Sequence, residues 1–597
     1  MASEAKGESA ERVARVREAM RAAGVDAMIV RGTDRYINEY VPEDESTRVW
    51  LTGFSGSTGD ALVGLDGAWL FVDGRYHVQA DREVDTALWT VVKNALGVAN
   101  ETATARRLTE MAAELPEGKS LRVGYEADRY SLNGFESFSK QLRGAAVELV
   151  PLSPSPFAVA RGEVRPTVSG AGELRAPDES RLGRTVAEKV ALVSEWLQSK
   201  RAHALLVSKL DEVAWLTNLR ADEMPYQATF RALAAVTREG IYVSVHASRV
   251  TDAVRAARPG VRFTDDAGVF AAIRDAANGA EPRVALDPAS VTVALRDAVA
   301  AMPADVLATT SPVVAAKAKK TPAEMAAMRD AFARADAVVA RAQAWLRERV
   351  AAGEPVTELG FAAKVEALFR EAGAVGLSFR VISAFGVNGA VVHHPSGDTV
   401  LTPGELVLLD TGAYFDEGFA TDLTRTFFAG GPGQRPTDAQ RRMFTLTLKS
   451  AIAGMTARVP AGAVGSQLDG ITRAPLWREG LDYAHGTGHG VGINVHESPP
   501  GVAKTSTMNL EEGQVFSIEP GVYLEGVGGV RIENLCTVTA EGEPAGFVRV
   551  EPLTFSPLDE SLIDDAMLND AERAFMAAYR ERGARRFASV THNLALE

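Results

Sequence analysis

Two distant stretches of the chain share one hydrophobic pattern. "VREAMRAAGVDAMIV" (Val16–Val30) and "VSEWLQSKRAHALLV" (Val193–Val207) each begin with apolar residues at helical intervals and end in a short apolar run. The pattern predicts an amphipathic helix, a turn and a buried strand in both places. A Trp-Leu-Thr element follows each, in "VWLTGF" (Val49–Phe54) and "AWLTNL" (Ala214–Leu219), and further strands are predicted at "GAWLFVD" and "EGIYVSV". The first copy carries about twelve extra residues before its Trp, including "NEYVPEDE". Helix alternating with strand in both copies predicts two α/β domains of one type, related by duplication. Between them, Pro151–Arg184 is rich in Pro, Gly, Ser and charge and reads as a linker.

A second boundary falls near Ala315–Pro322, "AAKAKKTP". A long helix is predicted to start at or near Thr321, with Pro322 suited to its first turn, and a second runs through "ELGFAAKVEALFREAG". Strands then dominate: "FRVISAFG", "GELVLLDTGAYF", "GQVFSIEPGVYL" and "GGVRIENLCTVT". The expected division is 1–165 and 180–318 for the two α/β domains, and 319–597 for a third region mixing helices with strands.

The third region ends its apolar strands in acids. Asp410 closes "LVLLD", Glu519 follows "VFSI" and Glu533 follows "GGVRI". A carboxylate there is costly to desolvate unless it is paired, hydrogen-bonded or metal-bound. Asp422, in "TDLTRT", lies twelve residues after Asp410. A turn around Asp416–Gly418 would fold the two strands into a hairpin and bring these acids together. Five of the nine histidines (393, 394, 485, 489, 496) share the region. His485, His489 and His496 stand in "HGTGHGVGINVHE" at offsets that would line one face of a helix. Glycines at 486, 488, 490 and 492 argue against a helix, because each costs about 1 kcal/mol relative to Ala. The expectation is an irregular loop entering a site, leading into a more strand-like "INVHE".

Each residue alone has an ordinary reading. A lone Asp at a strand end caps a turn, Glu533 could pair with Arg531, and His393 or His394 could be packed or surface histidines. Together, four carboxylates and a histidine form a metal constellation. Up to four negative charges cannot sit within a few ångströms without cations. Two divalent ions balance them, with a bridging hydroxide as nucleophile, and an oxygen-rich site with one imidazole suits Mn, Fe, Co or Zn.

Bulk properties narrow the partners. The formal net charge is −14, from 78 acidic and 64 basic residues, which argues against nucleic acid or an anionic membrane. No apolar run reaches the roughly 18 residues of a membrane span. The first twenty residues hold no apolar signal core, and Cys536, the single cysteine, permits no intrachain disulfide. The expected location is the reducing cytoplasm.

The phrases "EYVPEDESTRVWLTGFSGS", "DEVAWLTNLR", "SFRVISAFGVNGAVVHH", "LLDTGAYF", "TDLTRT", "HGTGHGVG", "VHE", "IEPGVY" and "GVRIEN" span nearly the whole chain. In them the chain resembles the three-domain aminopeptidase P family of pita-bread metallopeptidases. The resemblance implies two creatinase-like α/β domains followed by a pita-bread catalytic domain. It implies two divalent ions, Mn²⁺ by preference, held by Asp410, Asp422, His489, Glu519 and Glu533. Asp422 and Glu533 would bridge the ions, Asp410 would complete one, and His489 with Glu519 the other. Glu519 would also shuttle a proton. His496 and His485 would donate to the oxyanion, His393 would position the proline side, and Arg531 joins them as a substrate-binding residue. The implied substrates are peptides with proline second, and the implied assembly is a homodimer. A prolidase of the same fold would use the same ligands, and a non-catalytic peptide-binding relative is the remaining alternative. The chain departs from the family in three places. Asp410 and Asp422 are twelve apart where eleven is usual, "GVGINVHE" is two residues shorter than in many relatives, and His394 replaces a common aromatic.

Overall fold

The computed structural model describes residues 2–95, 97–162, 172–540 and 545–594, so part of the expected linker, 163–171, lies outside the described residues. The first six-stranded sheet has the order Thr90–Lys93, Ala68–Val72, Asp60–Gly64, Ala27–Val30, Leu121–Tyr125, Val147–Pro151. The second repeats it: Val261–Thr264, Gly240–Ser244, Ala234–Thr237, Ala204–Val207, Arg283–Leu286, Asp305–Ala308. In both, the strand earliest in sequence pairs antiparallel on one side and parallel on the other. These two central strands, Ala27–Val30 and Ala204–Val207, are buried at every position, which explains their unbroken apolar runs.

Both Trp-Leu-Thr elements form the last turn of a short helix, Thr47–Thr52 and Leu210–Thr217. The Thr52 hydroxyl donates to the Arg48 carbonyl and accepts from the Phe54 N–H; the Thr217 hydroxyl does the same with Val213 and Leu219. The next residue, Gly53 or Asn218, is left-handed, with φ of 72° and 52°, and ends the helix. The repeated tripeptide is a helix stop.

The expected linker is partly built into the fold. Pro156–Arg161 is a helix, and its Phe157 is buried with Val13 and Val16 of the first helix. "AAKAKKTP" is likewise no open hinge: Pro312–Ala318 is helical and Lys317 is buried. Thr321 and Glu324 then form a capping box at the head of the Pro322–Ala351 helix, with Pro322 in its first turn.

The third region packs helices on two sheets. Pro322–Ala351 and Glu358–Glu371 cover a three-stranded sheet of Ile382–Phe385, Glu405–Thr411 and Leu423–Ala429. Asp438–Met455 and Gly465–Trp477 cover a six-stranded sheet of order Arg458–Pro460, Phe547–Pro552, Asn534–Ala540, Val515–Ile518, Gly488–Gly490, Glu497–Val502. Two of the long strands expected here are each split at a glutamate. Val515–Ile518 stops before Glu519 and resumes at Gly521–Leu524, because Pro520 has no N–H to continue a ladder. Gly528–Arg531 and Asn534–Ala540 flank Glu533 and belong to different sheets.

The glycine-rich loop is less irregular than its sequence implies, since Gly488–Gly490 is a short strand between Val515–Ile518 and Glu497–Val502. Gly488 presses so close to its neighbour that an added Cβ would sit 1.8 Å from the Ser517 carbonyl oxygen. "INVH", by contrast, is a bend, and the next strand starts at Glu497. Gly488→Ala is therefore expected to lower stability by roughly 1–3 kcal/mol, as overpacking does. Gly470→Ala, inside a helix with open space at its Cβ, should be neutral or gain up to about 1 kcal/mol. Thermal unfolding of both variants checks the close approach, and equal melting points would contradict it.

Candidate active site

The acids of the first sheet meet through hairpin register. Asp410 lies opposite Thr424, and the ladder runs without a slip from Glu405↔Ala429 to Thr411↔Leu423 and on to the Tyr414↔Ala420 bridge. Asp422 is two residues from Thr424, so it shares a face with Asp410. The turn at Asp416–Glu417, closed by the Gly418 N–H on the Phe415 carbonyl at 2.8 Å, takes up the twelve-residue spacing. Glu533 arrives from the other sheet. Its N–H donates to the Thr424 carbonyl at 3.2 Å, and the Thr424 hydroxyl donates to Glu533 Oε2 at 2.7 Å. Thr424 thus stitches the two sheets together at the site.

His489 and Glu519 approach from neighbouring strands. The His489 N–H donates to Ser517 Oγ at 3.0 Å, and Ser517 Oγ donates to Glu519 Oε1 at 3.2 Å. His489 Nδ1 donates to the Gly490 carbonyl at 3.2 Å, so Nε2 is the nitrogen that faces the acids. Nε2 lies 3.4 Å from Asp422 Oδ2 and 3.5 Å from Glu519 Oε1. Ligand atoms of Asp422, His489 and Glu533 all fall within 4.8 Å of one another. All five residues line one cleft of about 1240 Å³.

Charge crowds this cleft. Burial raises the Asp410 carboxyl to about 6 despite Arg531, with Asp422 and Glu519 adding repulsion. Burial, then Asp422, Glu519 and Asp410, push Glu533 well above the carboxylate range. Burial would lower His489, but Asp422 and Glu519 outweigh it and hold the imidazole at about 9. Asp410 Oδ1 is buried without a hydrogen-bond partner. An orphaned carboxylate oxygen, mutual repulsion and a donor set of oxygens with one nitrogen fit divalent cations.

The other expected residues ring the same cleft. Arg531 is buried, and its hydrogen bonds go to Asp410 Oδ2 (2.6 Å), Thr424 Oγ1 (3.1 Å), Tyr523 OH (3.0 Å) and the Val392 carbonyl (3.3 Å). It pairs with Asp410, not Glu533. His485 Nδ1 donates to the Gly486 carbonyl at 2.7 Å, and Tyr523 OH, 2.9 Å from Nε2, donates to it, so both ring nitrogens are engaged. Burial, with Arg531 adding repulsion, lowers His485 to about 3. Arg473, paired to Asp469, donates to the Tyr483 and His485 carbonyls and fixes that segment. His394 turns to Glu358, 2.7 Å away.

Two contacts come from the far end of the chain. His496 Nδ1 donates to Glu39 Oε2 at 2.5 Å, and His393 Nδ1 meets Tyr76 OH at 2.8 Å. Ser57 donates to Glu39 at 3.0 Å and lies 2.8 Å from Tyr76 OH. Burial pushes Glu39 up, but His496, Arg75 and Ser57 more than offset this and leave it well below the usual carboxylate range. Burial and Arg75 keep His393 neutral. Glu39, Tyr76 and Tyr523 had no assigned role in the sequence. The available signal for Glu39 was its insertion, "NEYVPEDE", which the second α/β copy lacks.

Residues 12–161 and 165–324 each match a Creatinase/Prolidase N-terminal domain, and 326–540 match metallopeptidase family M24. A Probable Xaa-Pro aminopeptidase P from Laccaria bicolor is 33% identical over 95% of this chain and 89% of its own length. One from Coprinopsis cinerea is 32% identical over 98% and 96%. The X-prolyl aminopeptidase of Caenorhabditis elegans, described as a cytosolic enzyme with a di-nuclear active site, superposes with a TM-score of 0.88 at 28% identity. It covers 98% of this chain and 97% of its own. An Xaa-Pro dipeptidase from Bacillus anthracis shares the fold over 63% of this chain, at a TM-score of 0.53 and 24% identity. Two duplicated N-terminal domains, a two-sheet catalytic region and this near full-length likeness lead to one assignment: the chain belongs to the Xaa-Pro aminopeptidase P family of M24 metallopeptidases.

Proposed function

We propose that the protein removes the N-terminal residue from peptides whose second residue is proline. The carrying observation is the convergence of Asp410, Asp422, His489, Glu519 and Glu533 in a cleft walled by the first domain, within a chain related along nearly its whole length to Xaa-Pro aminopeptidases. Two divalent ions, Mn²⁺ by preference, would be held by Asp410, Asp422, His489, Glu519 and Glu533. Bound there, such ions supply Lewis acidity toward the scissile carbonyl and a water acidic enough to attack near neutral pH.

The chain's own groups do the rest. Glu519, steadied by Ser517, takes the proton of the attacking water and passes it to the proline nitrogen. An X–Pro nitrogen carries no N–H, so nothing in the site needs to accept one. His496, pinned at Nδ1 by Glu39, turns Nε2 to the carbonyl oxygen as it gains charge. Neutral His393, held by Tyr76, lines the proline side, and His485 with Tyr523 walls the same cleft. Arg531 orients Asp410. Among the described residues no helix is long and apolar enough to cross a membrane. We place the enzyme in the cytoplasm as a homodimer, whose interface the exposed Trp477 (47%) would suit.

Xaa-Pro-Yaa peptides should be cleaved after the first residue and Xaa-Pro dipeptides should not. Turnover of the dipeptide alone would make the protein a prolidase. His489→Ala is expected to lose metal and activity together, whereas His496→Ala should keep its metal and lose about 10²–10³ in kcat. Metal content and kcat of both, in one Mn²⁺ buffer, decide the assignment. Stripped of metal, the protein should lose stability as pH rises from about 4 to 6. Asp410 titrates near 3.8 when unfolded but about 6 when folded, so the folded state binds more protons over that window. Added Mn²⁺ should reverse the loss at pH 7, read as a rise in Tm.

A further inference from the structure

The bend Gly492–His496 carries His496 and belongs to no strand. At its start the Val491 N–H donates to the Val515 carbonyl at 2.9 Å and the Gly492 carbonyl accepts from the Ala420 N–H at 2.8 Å, but no backbone ladder runs on to His496. Its apolar residues alternate, and Val491, Ile493 and Val495 are each at most 2% exposed. They enter a core built mainly by the second α/β domain, with Trp215, Leu219 and Phe230 among its members. The next residue, Glu497, is buried as well. Its Oε1 accepts the Asn494 N–H at 3.0 Å and closes the bend. Its Oε2 lies 2.6 Å from Lys317 Nζ, and Gly492 makes room for it, because an added Cβ there would sit 2.3 Å from that oxygen. Lys317 Nζ also lies 2.6 Å from Asp211 Oδ2, on the Leu210–Thr217 helix of the second domain. Lys320 stands 3.7 Å from Glu497. Two buried cations thus face two buried carboxylates, and the less buried Lys209 lies 3.8 Å from the same Asp211 oxygen. Removing one leaves a buried charge without its partner, which a packed site does not tolerate in place.

We infer that the second α/β domain is the platform that positions His496, through the ion-paired lock Asp211–Lys317–Glu497. Lys317 and Glu497 are positioning residues; neither reaches substrate. The inference rests on the aminopeptidase reading, which gives His496 its task. It also explains why the "VHE" glutamate and the "AAKAKKTP" boundary, neither of which touches the reaction, are built into the interior.

The test uses the full chain with Lys317→Met and Glu497→Gln, each alone and combined with His496→Ala. Each single variant should keep wild-type metal content and lose about 10–100-fold in kcat, less than removal of the donor itself. In the His496→Ala background the same substitutions should cost under about threefold, since the group they position is gone. Full additivity, an unchanged kcat or loss of metal in the singles overturns the inference. Glu497→Gln keeps shape and hydrogen-bonding capacity and carries the test if Lys317→Met fails to fold. Amide hydrogen exchange across 491–496 is read without catalysis and should speed up about tenfold or more in both singles. A wild-type chain without Xaa-Pro turnover would sink the proposed activity, while unchanged exchange would sink the platform.

Discussion

Buried carboxylates that repel one another are the constraint around which the catalytic region is arranged. Asp410, Asp422 and Glu519 each raise the proton affinity of at least one neighbour, and all three act on Glu533, so the carboxylates by themselves resist assembly. The fold holds them regardless. Two acids come from one hairpin, where unslipped register keeps them on one face. Two come from breaks in apolar strands, where the chain leaves its ladder and the carboxylate need not pack against a neighbouring strand. Thr424 and Arg531 then tie the two sets together by hydrogen bonds that occupy only part of each carboxylate. The strain stored this way is what a pair of divalent ions would relieve.

Much of this was legible in the sequence because it is local. An acid after "LVLL" or "VFSI" contradicts its surroundings, and the contradiction can be seen within a few residues. The repeated Trp-Leu-Thr stood out for the same reason, and its meaning as a helix stop needed only the hydroxyl's two partners. The split of two long strands was less visible, since Glu519 and Glu533 sit in runs whose apolar character continues on both sides. Only Pro520 announced a break.

What sequence reasoning missed is long-range. Glu39 and His496 are 457 residues apart, and Tyr76 and His393 are 317 apart. No periodicity connects such pairs, and each partner alone has an ordinary reading. Lys317 is the sharpest case: "AAKAKKTP" reads as a domain boundary, yet this lysine is buried between Asp211 and Glu497. Carboxylates from two other elements meet it there, and neither lies near it in the chain.

The reach from Glu39 to His496 has a consequence for synthesis. The first domain can fold as soon as it leaves the ribosome, but the imidazole it must grip is made several hundred residues later, and Glu533 later still. Until the end of the catalytic region emerges, the nascent chain holds halves of a site and no site. On the proposed site assignment the peptidase is silent while it is being made, and a copy terminated before Glu533 stays silent.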